Sequence, residues 1–133
     1  MKKENSIIIG SGVIGSYLAK LLISKKQRVI VTSRKTKRSY TNYNKLNIEN
    51  KIIFEELDVL KKTNILKLLK KYTPKNIFYF SGQSSLTKSI KLKKTTNDSN
   101  YIGAKNIMEV IHKYELKTNF YKANSGYIFE PNK

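Results

Sequence analysis

The 133-residue chain has no cysteine and no tryptophan, one histidine, two prolines and only nine acidic side chains. Without cysteine there is no disulfide framework, no thiolate zinc site and no cysteine nucleophile. A single histidine, His112, is a poor basis for a metal site or a Ser-His-Asp relay, and it reads as structural or solvent-facing. Charge is also missing from residues 5–19, as in a signal peptide. Glycine and serine break that stretch, no Ala-x-Ala cleavage pattern follows it, and it is too short to span a bilayer. The expectation is a cytoplasmic protein with no membrane contact. The length suits one domain over residues 1–133, and 39% hydrophobic residues suffice for a real core.

What the chain has in excess is lysine: 24 of its 27 basic residues, giving a net charge of +18. Clustered cations would point to nucleic acid, because they neutralise phosphates and release counterions. Here the lysines are scattered, with no Lys/Arg block of five or more. Lysine, asparagine and isoleucine are all abundant and share adenine- and thymine-rich codons. A solvated surface explains the charge better than a functional polycation, and nucleic-acid binding stays the weaker alternative.

Strand-length apolar runs alternate with helical patterns. Strands are expected at 6–9, 28–32, 52–54, 76–80 and 119–123. Val13, Ile14, Tyr17, Leu18, Leu21 and Leu22 recur at helical spacing. A second helix over 64–71 is built on Ile65, Leu66, Leu68 and Leu69 and is stopped by Pro74. A third over 99–114 turns Ile102, Ile107, Val110 and Ile111 inward. Residues 35–50 read as a polar loop with one helical turn. Strand–helix repetition of this kind implies a parallel sheet with right-handed crossovers.

The most informative residues are Gly10-Ser11-Gly12-Val13-Ile14-Gly15. This G-x-G-x-x-G follows an expected strand and opens an expected helix, the context in which it binds a dinucleotide. Gly10 lets the chain turn sharply, Gly12 leaves room for a pyrophosphate, and Gly15 lets the helix approach the strand. A helix N-terminus there offers N–H groups and partial positive charge to phosphates. The competing reading is a glycine-rich turn that binds nothing. About 20 residues on, an NAD site usually carries an acid for the ribose 2′-hydroxyl. This chain has Thr32-Ser33-Arg34-Lys35 instead. Arg34 and Lys35 suit a 2′-phosphate, which favours NADP over NAD.

These residues resemble the extended short-chain dehydrogenase/reductases, the sugar-nucleotide epimerases and dehydratases, and most of all the N-terminal part of the GDP-mannose 4,6-dehydratases. Residues 10–19 look like the family's nucleotide loop and 31–35 like its NADP-reading turn. Leu57-Asp58-Val59 resembles the stretch after the third strand, where the Asp contacts adenine. Phe80-Ser81-Gly82-Gln83-Ser84 is similar to the loop lying along the cofactor, and Asn100-x-x-Gly103 matches the opening of the next helix. Ala123-Asn124-Ser125 looks like the end of the fifth strand, which makes Ser125 the catalytic hydroxyl position. The cofactor-binding set implied is Gly10, Gly12, Val13, Ile14, Gly15, Arg34, Lys35, Asp58, Val59, Phe80, Ser81, Gly82 and Asn100.

The resemblance implies an α/β fold, a Rossmann-like doubly wound parallel sheet of about five strands. It also implies a reaction in which the sugar is oxidised at C4, loses water across C5–C6 and regains hydride at C6. Three departures bear on that reaction. Ile9 stands where the loop normally has a further glycine. Tyr127 stands where the dehydratases carry a glutamate base, and Glu130 stands where they have glycine. The family's Tyr-x-x-x-Lys pair, in which the Lys lowers the Tyr pKa for proton relay, belongs on the helix after the fifth strand, beyond Lys133. A literal Tyr101-x-x-x-Lys105 precedes Ser125 instead and reads as coincidental.

The expectation is therefore an NADP-binding domain, truncated before that helix, lacking the sugar-binding half and inactive by itself. A nucleotide sugar of the GDP-mannose class would bind only with a missing C-terminal part. The alternative is a non-catalytic dinucleotide module or one subunit of a split enzyme. An uncovered sheet face should drive self-association or pairing with another chain.

Overall fold

The computed structural model describes residues 3–34, 41–82 and 90–124. The first strand, β1 (Asn5–Ile9), carries Ser6, Ile7, Ile8 and Ile9 fully or almost fully buried. A strand apolar on both faces suits the middle of a parallel sheet, and β1 lies there. It pairs in parallel with β2 (Arg28–Ser33) on one side and β4 (Asn76–Tyr79) on the other. Outside these lie β3 (Ile52–Glu56) and β5 (Asn119–Lys122), giving the order β3-β2-β1-β4-β5. All five expected strands are present, each within two residues of its expected limits. The one buried polar side chain of β1 is satisfied, because Ser6 Oγ donates to Gln27 Oε1 at 2.6 Å.

Helices cover both faces. The α3 helix (Lys62–Tyr72) buries Ile65, Leu68 and Leu69 against Ile7, Ile9, Ile30 and Ile77. On the other face α1 (Val13–Ser24) and the short α2 (Thr41–Lys45) pack against Ile8, Val29 and Val31. Tyr43 of α2 is fully buried there, edge-on to Phe54 with ring centroids 5.3 Å apart. A 3₁₀ turn (Glu49–Lys51) leads into β3.

Two elements differ from the sequence expectation. The spacing that located α1 did not locate its buried face. Gly15, Ser16, Ala19 and Leu22 face the sheet, whereas Val13, Ile14, Tyr17 and Leu21 are more than half exposed. Small side chains win that face because the helix crosses the strands closely. The helix expected over 99–114 starts earlier: α4 (Lys93–Asn97) runs into a wide π turn (Asp98–Ile102) and on into α5 (Gly103–Lys113). Its upstream turns carry polar and basic residues only, so apolar periodicity could not reveal them. Within α5, Ile107 and Val110 are buried and Ile111 is half-buried.

No helix among the described residues is long and apolar enough to cross a membrane. On the α1 face, β4 and β5 carry the stacked pair Phe78–Tyr121, with centroids 5.0 Å apart and Tyr121 half exposed.

Candidate functional site

The strand order reverses between β1 and β4, so the chain leaves their carboxyl ends in opposite directions and opens a crevice there. Gly10 begins the loop after β1 at φ +112°, a conformation that favours glycine. A Cβ at Gly10 would lie 2.9 Å from the Phe80 carbonyl carbon and the Ser81 nitrogen. The two loops thus touch along bare backbone. Gly15 meets a similar limit, since its Cβ would sit 2.6 Å from the Gly10 carbonyl oxygen.

Gly12 is different. It caps α1 in extended backbone (φ −75°, ψ −173°), and nothing lies within 4 Å of where its Cβ would be. The fold places no demand for glycine there, and the free space faces the crevice. No side chain caps α1, and no acid occupies its first turn. The first N–H groups of a helix lack intrahelical partners, so this end presents donors and the positive pole of the helix dipole.

Beneath it is a cavity of about 400 Å³ lined by Gly10, Gly12, Arg34, Val59, Phe80, Ser81 and Gly82, together with Ile9, Thr32, Thr95 and Ser99 among others. A second cavity of about 340 Å³ shares Arg34, Val59, Ser81, Thr95 and Ser99 with it and adds Glu56, Asp58, Lys61 and Asn64. Thr32 Oγ1 is buried with no hydrogen-bond partner among the described residues, although Thr32 lines the larger cavity.

The structure gathers most of the residues singled out from sequence around these two cavities. Asp58 reaches the smaller one, with its carboxylate engaged in its own turn. Oδ1 accepts from the Leu60 N–H at 3.0 Å, and Oδ2 lies 3.8 Å from Lys61 Nζ. Asn100 touches the wall from behind, its Oδ1 lying 2.6 Å from where a Gly82 Cβ would be. Val13 and Ile14 line neither cavity and point to solvent. Lys35 and Ser125 lie outside the described residues, as do Tyr127 and Glu130.

Thr32, Thr95 and Ser99 were not singled out. Thr32 sits inside the stretch that was read for its charges. Thr95 and Ser99 are a polar i, i+4 pair, Thr95 on the helix turn upstream of the expected start and Ser99 at that start, where no apolar spacing marks it.

The sequence profile of the GDP-mannose 4,6 dehydratase family matches residues 7–129. The chain belongs to this family. It is 26% identical to CDP-paratose 2-epimerase of Salmonella typhi over 121 residues, which are 90% of this chain and 36% of that protein. The fold is similar to a UDP-Glc/GlcNAc 4-epimerase of Campylobacter jejuni (TM-score 0.80, 17% identity, 98% of this chain and 40% of that one). It is also similar to a UDP-glucose-4-epimerase of Stenotrophomonas maltophila solved with bound NAD and formylated UDP-arabinopyranose (TM-score 0.81, 16% identity, 94% and 38%). The chain thus spans 36–40% of the length of these relatives.

Within this family frame, Ile9 is the last residue of β1 and is 3% exposed, part of the core that packs against α3 and α5. The position where the loop normally has a further glycine is here spent on that core. The Tyr101–Lys105 pair faces away from the crevice. Tyr101 is 56% exposed, Lys105 Nζ lies 5.9 Å from its ring centroid, and the same ammonium is 3.9 Å from Glu109 Oε1.

Proposed function

We propose that the chain is the NADP-binding part of a nucleotide-sugar dehydratase or epimerase of the GDP-mannose 4,6-dehydratase type, inactive by itself. The observation that carries this reading is the uncapped start of α1 beside a bare Gly12 at the cavity. A diphosphate fits that set, being an acceptor-rich anion that meets backbone N–H donors and the positive end of the helix dipole. In this reading Gly10, Gly12, Gly15, Val13 and Ile14 form the phosphate loop. Arg34 and Lys35 take the 2′-phosphate, and Asp58 and Val59 border the adenine. Phe80, Ser81, Gly82 and Asn100 flank the remainder of the coenzyme.

Bound there, a nicotinamide would supply reversible hydride exchange with a sugar carbon. The chain's own contribution is to hold and orient it, with Ser125 as the catalytic hydroxyl. A nucleotide sugar of the GDP-mannose class would bind only once further polypeptide is present. The exposed apolar face of α1 and β5 would mediate self-association or pairing with that polypeptide, in the cytoplasm.

The outward Tyr101 favours a second reading, a dinucleotide-binding module or split-enzyme subunit that performs no chemistry alone. Titrating the protein with NADPH and NADH, following coenzyme fluorescence, tests the first claim. Saturable binding with NADPH the tighter ligand is expected, and no binding of either coenzyme overturns it.

A further inference from the structure

One layer behind the cavity, Tyr79 ends β4 with its ring in the core and only 1% of its surface exposed. Burial raises its phenol pKa to about 12, so the hydroxyl keeps its proton at neutral pH. That hydroxyl donates to the Ser99 carbonyl. Ser81 stands on the loop after β4 and Ser99 in the π turn. Both line the cavity, and Tyr79 does not.

In a π turn the hydrogen-bond ladder slips by one residue, which leaves the backbone short of regular partners. The Ser99 hydroxyl turns back to the Thr95 and Thr96 carbonyls at 2.9 and 3.3 Å, while its own carbonyl goes to Tyr79. The surrounding fit is close. A methyl group on Gly103 would strike the Tyr79 hydroxyl and lie 2.6 Å from Val59 Cγ2. A phenyl ring would fill the core equally well, and a buried hydroxyl costs stability unless it is partnered. Packing alone therefore does not account for the oxygen.

We propose that Tyr79 is a positioning residue whose hydroxyl ties the end of β4, from which the Ser81 loop leaves, to the π turn at Ser99 and so holds two walls of the cavity at the separation the ligand needs. The ligand half of this proposal rests on the dinucleotide reading above; the structural half does not. Tyr79→Phe keeps the ring and deletes the tie. Removing one such bond is worth about 5- to 10-fold in affinity, so the NADPH dissociation constant should rise by about that factor. In the ligand-free protein, amide hydrogen exchange at residues 99–103 should accelerate while exchange in β1 stays slow.

Ile65→Val, in the core under α3 and away from both cavities, is the control for lowered stability, and it should leave the dissociation constant unchanged. Wild-type affinity in Tyr79→Phe, or unchanged exchange at 99–103, overturns the proposal. An equal affinity loss in Ile65→Val also overturns it, since the effect would then be general loosening. If the wild-type protein binds neither coenzyme, the function reading falls, and the tie is judged on the exchange measurement.

Discussion

Gly12 and Arg34 are where single side chains decide the most. Because a Cβ at Gly12 meets no atom within 4 Å, Gly12→Val should fold with a loss of no more than about 1 kcal/mol, the cost of a poorer N-cap. The same side chain would overfill the ligand's space, at about 1–3 kcal/mol, or about 5- to 150-fold in NADPH affinity. Thermal melting and coenzyme titration of one preparation check both halves. Arg34 is exposed and lines both cavities. In the NADP reading its charge-assisted bond to the 2′-phosphate, weakened by exposure, predicts that Arg34→Ala loses NADPH affinity about 5- to 10-fold while NADH affinity holds. Equal losses for the two coenzymes would remove the case for NADP.

Away from the crevice, Glu55 Oε1 accepts from Lys71 Nζ at 2.6 Å and from the Tyr72 hydroxyl. The Lys71 hydrogen bond first, then that of Tyr72, holds its carboxyl below the usual 4.5. A carboxylate with a depressed folded-state pKa contributes stability above its unfolded value and loses it as pH falls through the folded one. Glu55→Gln should therefore be less stable than wild type at neutral pH. The gap between the two should close as the pH drops below about 4.5, as read by urea melts across pH.

At the scale of elements, the sequence disclosed those parts whose signal is local. Ile7-Ile8-Ile9 and Val29-Ile30-Val31 announce central strands because both faces of a parallel sheet must be apolar. Ile65, Leu68 and Leu69 likewise announce the buried side of α3. The face of α1 was not legible, because a helix crossing strands at close range selects small residues there. The sequence marks Gly15, Ser16 and Ala19 only weakly, beside the louder Val13, Ile14, Tyr17 and Leu21. The start of the α4–α5 helix was hidden for a related reason. Its upstream turns bury nothing, so the periodicity that reveals α5 is silent there, and with it went Thr95 of the crevice. Gly10, Gly12 and Arg34 could be found from spacing alone, whereas Tyr79 could not. Nothing in Asn76-Ile77-Phe78-Tyr79 says which neighbour its oxygen meets.

Over the whole molecule two opposing forces meet. A net charge of +18 makes copies repel at low salt, whereas the exposed Val13, Ile14, Tyr17, Leu21 and Tyr121 favour covering apolar surface. Salt shortens the reach of the repulsion to about 8 Å at physiological ionic strength and leaves the apolar attraction intact. Sedimentation should show mass growing with protein concentration, and more steeply as salt rises. A monomer under all conditions would show that these side chains are individually tolerated exposure.

The edge at β5 adds a constraint of its own. Its inner side pairs with β4 in parallel, and no strand lies beyond it among the described residues. A parallel strand joined to β5 has to travel back over one face before it can dock, since tight hairpins reverse direction. The steps from β3 to β4 and from β4 to β5 both carry their helices on the α3–α5 face, so the right-handed rule sends a further crossover helix there and leaves the Phe78–Tyr121 stack on the α1 face to a different element.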